Sequence, residues 1–466
     1  MPAAAPMSPV PDAETLNRYP PRIRPPSGPL PPWRFLPLFL RNPLRTLPER
    51  VYREPIFSPP RMAGRMAWVT APSLVERILL EEHEAFPKSP IEARLFASVL
   101  GDGILTSEGA HWGWQRRTVA PLFRHQELIA SVPAMAGAAQ RLVDRWRTVP
   151  TATLRPIDAE MTDVSFDVLA MTLFAAATPF EEAELKHHTG AYLEHTSWDL
   201  AFELLQVPAW VWHPAKPAMR HHAHRLRTTI GAVLRRERAA GFPGGGVLAK
   251  LAQARAPETG EPMSDELIGS NLLTFAAAGH ETTAKALTWS LYLLATNPDW
   301  QERLAQEAID AAGSGPIEAR HLERLALTRQ VLKETMRLYP PAPVIGRMTT
   351  RATEVGGQSF EPGAVLVIPI WAIHRHHALW EDPDRFDPDR FLPEREARLE
   401  RAQFMPFGFG PRTCIGLSFA VIEGVVLLAT FVRAMRFALG RPFAPEPVSR
   451  VTLRPKGGMP LLVAPR

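Results

Sequence analysis

The stretch that most constrains this chain is SDELIGSNLLTFAAAGHETTAKALTWSLYLLATNP, residues 264–298. Ser264 stands three residues before Leu267, and Asp265 and Glu266 occupy the first turn. Acidic side chains there suit the positive end of a helix dipole. Apolar residues then continue until Asn297-Pro298 stops the helix. A helix this long and apolar cannot lie on a surface, so it must run through the centre of the molecule. Helical periodicity dominates residues 112–340 around it, broken by GFPGGG (241–246), RAPETGEP (255–262) and NPD (297–299). β-type runs occur only near MAWVTAP (66–72), in TEVGGQSFEPGAVLVIPIW (353–371) and near VTLRPKGGMPLLVAP (451–465). The expected class is mostly α with small β-sheets, an α+β architecture.

An apolar share of 45% with 22% charged residues fits a globular protein. A single cysteine excludes an intramolecular disulfide framework and any zinc site built from several thiolates. The net charge of +5 is small for 466 residues, and no block of like charges argues for nucleic acid. Residues 1–35 are Pro-rich and expected to be extended or disordered, and 36–466, without a long linker or internal repeat, are expected to form a single domain. WRFLPLFL (33–40) is too short to span a bilayer and is interrupted by Pro37, so it is expected to pack on the body. With no targeting signal or transmembrane anchor in view, the expected location is the cytoplasm. Between Ile373 and Cys414 lie 40 residues of low periodicity, rich in Pro, Arg, Asp and His. Loops of that length in compact domains are usually functional.

The lone cysteine sits in FMPFGFGPRTCIG (404–416), followed by the apolar helix pattern LSFAVIEGVVLLATFVRAMRF. A thiolate at the mouth of a helix is favoured by the dipole and by unpaired N–H groups, which should lower its pKa. The glycines let backbone approach a large flat ligand, and Arg412 is placed to meet an anionic group on it. The chemistry suggests a thiolate metal ligand with N–H bonds to sulfur. A nucleophilic cysteine competes, but no histidine neighbours it. In AGHETT (278–283), Glu281 beside Thr282 places an acid next to a hydroxyl in an apolar helix, an arrangement able to carry protons into a dry pocket. Glu334 and Arg337 in KETMRLYPP (333–341) share a helix face. Trp112 and Arg116 in HWGWQRR (111–117) project N–H donors from one face, suited to carboxylates. The histidine pairs and clusters at 187–188, 221–224 and 374–377 show no metal-ligand spacing and are assigned no metal.

These motifs, in this order, resemble the cytochrome P-450 family from about residue 36 to the end. Phe407, Gly410, Arg412, Cys414 and Gly416 match its Phe-x-x-Gly-x-Arg-x-Cys-x-Gly loop. The resemblance implies haem b (iron protoporphyrin IX) between the long central helix and the Cys-loop helix, with Cys414 as the axial thiolate. AGHETT resembles the family's oxygen-activation motif, implying that Thr282 holds iron-bound oxygen and its water while Glu281 helps supply protons. KETMRLYPP and FDPDRF (386–391) resemble the ExxR helix and the element after it, implying a buried structural triad of Glu334, Arg337 and Arg390. Trp112, Arg116 and Arg347 stand where the family binds haem propionates, and His374-Arg375 matches a structural pair.

By the same resemblance, the substrate pocket draws on Phe96 and Leu100 from one loop, and on Thr274, Phe275 and Ala278 from the central helix. Val344, Ile345 and Met459 complete it. Trp198, Trp210 and Trp212 fall where the family has its lid. The implied activity is a monomeric haem-thiolate monooxygenase acting on a hydrophobic small molecule with O₂. Its electrons would come from a separate ferredoxin with its reductase or a flavodoxin-type donor docking on the Cys414 side, near Arg395, Arg398 and Arg401. The alternatives are an H₂O₂-driven peroxygenase on the same fold and a non-catalytic haem or ligand-binding protein.

Overall fold

The computed structural model describes residues 19–89, 96, 99–150, 153–173, 178–204, 211–242, 246–256 and 260–466. Trp210 and residues 1–18 lie outside them. The predicted central helix spans Asp265–Thr296, and Ser264 caps it by accepting from the Leu267 N–H at 3.2 Å. It is called α7 below. Its neighbours are α4 (Ile157–Leu173), α6 (Lys216–Ala239), α9 (Ala326–Leu338) and α10 (Leu417–Ala434). Leu287, Trp289, Leu291 and Leu293 are fully buried, as an all-round apolar helix requires. Helix α10 is long and apolar enough to cross a membrane by composition alone, but here it packs on α3 (His125–Arg147), α8 (Pro298–Ala312) and α9.

The sheets are small, as expected. Strands β1 (Ile56–Phe57), β2 (Met66–Val69), β7 (Val365–Ile368) and β4 (Ile345–Met348) form one sheet in that order, with β2 and β7 parallel. The register pairs Arg347 with Leu366. A second sheet joins β3 (Thr153–Pro156), β11 (Pro460–Pro465) and β8 (Met435–Ala438). Two hairpins complete the set: β5 (Thr353–Val355) with β6 (Gln358–Phe360), and β9 (Pro447–Ser449) with β10 (Leu453–Pro455). The tip between β9 and β10, residues 450–452, matters for the site.

From Tyr19 to Pro31 the chain runs without helix and docks on the body rather than standing away from it. Ile23 is buried in the core, and the Tyr339 hydroxyl donates to the Pro21 carbonyl at 2.8 Å. Folded structure thus begins well before residue 36. The WRFLPLFL segment lies in α1 (Pro32–Arg41), where Phe35, Leu36 and Phe39 are half-buried and Trp33 is 75% exposed.

Candidate active site

Between Ser270 and Leu294 every residue of α7 is buried except Ala277, Ala278, Gly279 and Thr282. Accessibility in mid-helix, between two fully buried stretches of the same helix, marks a cleft. Thr282 turns its hydroxyl back to the Ala278 carbonyl at 2.8 Å, which loosens the helix at the point where it is accessible. The first turn of α10 and the loop before it are also accessible, Cys414 included. Phe123 bridges the two, meeting Phe275 of α7 edge-on and facing Gly416 of the Cys loop.

The Cys loop is fixed by its glycines and by one backbone bond. Gly410 has φ +75°, and a Cβ there would lie 1.9 Å from the Leu79 carbonyl oxygen. No side chain fits, so glycine is obligatory at that crossing. Cys414 donates its N–H to the Phe407 carbonyl at 2.9 Å, closing the loop. Burial pushes the Cys414 thiol up, while the Gly416 N–H and the Arg116 guanidinium pull it part-way back. Desolvation of the thiol thus opposes the lowering that these donors provide. Metal coordination would deprotonate the thiol outright.

Cationic and indole donors gather beside this sulfur. Arg116 is close enough for its charge to act on Cys414, and burial lowers its own pKa. The Arg412 guanidinium stacks 4.0 Å over the Trp112 ring, donates to the Ser107 carbonyl at 2.9 Å and pairs with Glu108. Arg347 is buried on β4, two residues from Ile345, whose Cδ1 lies 3.6 Å from a Cβ built on Gly408. A soft sulfur ligand flanked by Trp112, Arg116 and Arg412, under an accessible apolar strip, fits a flat metallo-cofactor with acidic arms.

A buried polar network that sequence reasoning missed positions these donors. Asn271 of α7 donates to Gln115 at 2.8 Å and accepts from the Ile104 N–H at 3.0 Å. Gln115 in turn donates to the Asp102 carbonyl at 2.8 Å. The helix α2 (Gly109–Val119) is thereby locked to α7. Isolated Asn and Gln residues give no sequence signal for such a lock.

Glu281 and Thr282 point apart. Glu281 is buried, and its Oε1 accepts from Thr452 at 2.7 Å and pairs with Arg454 at 2.5 Å. Burial alone would push its carboxyl up, but Arg454 and Lys285 outweigh that and hold it below the ordinary range. A second acid was also missed. Glu423 of α10 is buried facing Ser165 and Thr283, and burial pushes it up to about 8.

The triad assembles unevenly. Glu334 and Arg337 are fully buried and bonded twice, at 2.6 and 2.7 Å. Arg390 stands 3.7 Å from Glu334, an ion-pair distance, and donates instead to the Asp382 carbonyl at 2.9 Å. His374 is buried beside it and accepts from the Met405 N–H at 2.9 Å, and burial pushes its pKa down to about 3.

An apolar cavity borders the accessible strip, lined by Phe96, Val99 and Leu100, by Thr189 and Tyr192 of α5 (Pro179–Leu204), by Leu226 of α6, and by Leu273 and Ala277 of α7. Phe96 and Leu100, two residues of the expected pocket, line this cavity. Ala278 is exposed in the strip, and Phe275 packs in the same apolar cluster as Leu100. Thr274 turns away, donating to the Ser270 carbonyl at 2.8 Å beside Gly103. Val344 is 40% exposed, and Ile345 packs against the β-sheet cluster. Met459 is not a pocket residue: it is fully buried in the main core with Trp146 and Ile157, its N–H held by Asp158 at 2.9 Å. Val451, at the β9–β10 tip, packs on the cavity-side cluster instead. Trp198 and Trp212 are exposed; Arg395 and Arg398 are exposed, and Arg401 pairs with Glu76.

Residues 26–461 match the family model described as Cytochrome P450. The chain is 32% identical to cyclooctatin synthase of Streptomyces melanosporofaciens over 84% of this chain and 83% of that protein. It is 30% identical to cyclooctat-9-en-7-ol 5-monooxygenase of the same organism (78% of each) and 29% identical to cytokinin hydroxylase of Arabidopsis thaliana (85% and 79%). Among solved structures, a cytochrome P450DA heme domain superposes with a TM-score of 0.77 at 25% identity, covering 86% of this chain and 87% of that one. The family implies haem with a cysteine thiolate ligand, which the donor set around Cys414 fits. This chain, an oxidoreductase that incorporates oxygen, belongs to the cytochrome P450 family.

Proposed function

We propose that this protein uses O₂ and electrons from a separate ferredoxin or flavodoxin-type partner to hydroxylate a hydrophobic small molecule in the cytoplasm. The observation that carries the reading is the accessible strip Ala277–Gly279 and Thr282 in an otherwise buried helix, bordering an apolar cavity. Haem bound at Cys414 supplies the redox chemistry that activates oxygen. The chain's own residues do the rest. Cys414 would ligate the haem iron through its thiolate, and the Gly416 N–H would moderate the donor strength of that sulfur. Trp112, Arg116, Arg412 and Arg347 would hold the carboxylate arms of the cofactor. Leu100, Leu226 and Leu273 hold the substrate and exclude water.

Proton handling falls to Thr282 and Glu281. The Thr282 hydroxyl is presented at the cleft, where it can donate to a reacting oxygen. Glu281, Thr452 and the partly exposed Arg454 form a polar line from the helix toward solvent. The related alkenol 5-monooxygenase supports an apolar substrate carrying few polar groups.

Reduced-protein CO difference spectroscopy tests the ligation, and an unshifted Soret band would remove it. Thr282→Ala then tests the proton role: NAD(P)H consumption should continue while product falls and peroxide rises about tenfold or more. Coupling unchanged from the parent enzyme would exclude that role for Thr282. Turnover by H₂O₂ alone at a rate equal to the reductase-driven one would favour the peroxygenase.

A further inference from the structure

Histidines 187–188 and 221–222, which their spacing kept apart, meet across the pair of helices that roofs the cavity. His188 lies on α5, and His221 and His222 lie on α6. Ligand-capable atoms of His188, His221 and His222 all fall within 4.8 Å of one another, the one such group of three among the described residues. His188 Nδ1 is 2.8 Å from His222 Nδ1. The other ring nitrogen of His188, Nε2, faces the Glu184 carboxylate at 3.4 Å, and Glu184 is itself paired with Arg225.

This is the layout of a carboxylate–histidine–metal relay, in which the outer carboxylate fixes the tautomer and turns the opposite nitrogen to the ion. Burial, first, and then the neighbouring His187, Arg225 and His221 lower the His188 pKa despite Glu184. Three imidazoles suit a borderline ion such as Zn²⁺ at about 2.0–2.1 Å per bond, with water in a fourth position. Tetrahedral bonds of that length separate ligand nitrogens by about 3.3 Å, so the His188–His222 pair needs to part by only about half an ångström. His221 is exposed and His188 buried, giving the ion an entry path from solvent.

We infer that His188, His221 and His222 form a divalent transition-metal site, best suited to Zn²⁺, that clasps α5 to α6. The clasp sits directly outside the cavity. Thr189 follows His188 in sequence, Tyr192 is one turn on, and Leu226 is one turn beyond His222; all three line the cavity wall. An ion bridging the two helices therefore restrains the wall that an apolar molecule must displace to enter. The site uses no residue of the haem cleft and stands or falls separately from the monooxygenase reading.

The test uses haem-loaded full-length protein, so that Cys414 is already engaged, equilibrated against Zn²⁺ alone and assayed for bound metal. One Zn²⁺ per chain with a micromolar or tighter Kd is expected. His222→Ala and His221→Ala, at more accessible positions than His188, should each weaken binding at least tenfold while keeping the haem spectrum. Glu184→Gln should weaken it about tenfold through the relay. No saturable binding, or binding unchanged in both histidine variants, overturns the site. Stopped-flow spin-shift rates with an apolar probe should slow in Zn²⁺ for the parent and not for His222→Ala; equal rates with and without bound Zn²⁺ overturn the clasp.

Discussion

Arg337 offers the sharpest test of how the haem-side architecture is held. Its guanidinium makes five bonds with no solvent in reach: two to Glu334, and one each to the carbonyls of His374, Pro383 and Arg385, at 2.8, 2.6 and 3.0 Å. Those carbonyls belong to the long irregular stretch that leads to the Cys loop, so one side chain ties the helix α9 to the segment positioning Cys414. Removing it leaves a buried carboxylate without its partner, which costs about 3–5 kcal/mol. Three carbonyls are orphaned as well, at roughly 1 kcal/mol each where water cannot reach them. The sum, about 6–8 kcal/mol, is a large part of the roughly 5–15 kcal/mol that stabilises a typical domain.

Arg337→Met should therefore yield little soluble, haem-bearing protein. Arg337→Lys, which keeps the charge but not the five-donor fork, should fold with a clearly lower urea midpoint. The double variant Glu334→Leu/Arg337→Met separates the causes, because it removes the orphaned carboxylate and leaves the carbonyls, the Asp387 N–H that Glu334 accepts from at 2.9 Å, and Arg390, which stands 3.7 Å from Glu334. It should be more stable than Arg337→Met alone. A haem-replete Arg337→Met protein within about 1 kcal/mol of the parent would refute the reasoning. Equal instability of single and double variants would show that the loss comes from the orphaned carbonyls and not from the unpaired carboxylate.

Three other outcomes follow from the site. Gly410→Ala forces a methyl against the Leu79 carbonyl at a positive φ, so it should abolish haem incorporation; a normal CO spectrum would contradict the geometry. Arg454→Met removes the main charge holding the Glu281 carboxyl low. In the parent, Glu281 adds stability above about pH 4.3 that is lost as pH falls through its depressed pKa. In the variant, burial raises that pKa and a cost appears as pH rises, so the loss in urea midpoint should be greater at pH 7.5 than at pH 5, and an equal loss at both would contradict it. Glu423 has the opposite sign: with a pKa near 8 it costs stability that grows by about 1.4 kcal/mol per pH unit between the unfolded carboxylate range and 8, then levels off. Glu423→Gln should gain on the parent over that window, and a pH-independent difference between the two would exclude the assignment.

What was legible in the sequence is what is encoded locally. The Cys loop could be read because Gly410, Cys414 and Gly416 act within one turn of chain, and the Glu334–Arg337 pair because i and i+3 share a helix face. Helix α7 announced itself by its length of apolar residues and its cap. Contacts between distant segments were not legible. Arg454 and Thr452 meet Glu281 across more than 170 residues, and Asn271 meets Gln115 across 156. Met459 was placed in the pocket for a related reason. It precedes β11, whose register against β3 buries it beneath Asp158, while the hairpin tip eight residues earlier carries Val451 to the cavity-side cluster. Hairpin register decides which of the two faces the pocket, and a single sequence does not display it.

Adjacency in sequence also concealed the division of labour between Glu281 and Thr282. Successive helical residues are about 100° apart, so an acid and a hydroxyl at neighbouring positions cannot both face one cleft. Thr282 is the accessible one. Glu281 turns to the hairpin, where Thr452 and Arg454 hold it anionic and it holds them in place. Val451 is the residue next to Thr452, so the carboxylate assigned to the proposed polar line also anchors the hairpin tip whose Val451 packs on the cavity-side cluster. The proposed proton handling is therefore tied to the hairpin through Glu281: a change that frees the carboxylate to titrate also frees the hairpin tip. Variants here should alter coupling efficiency and substrate selectivity together, whereas variants at Thr282, which holds no second element, should alter coupling alone.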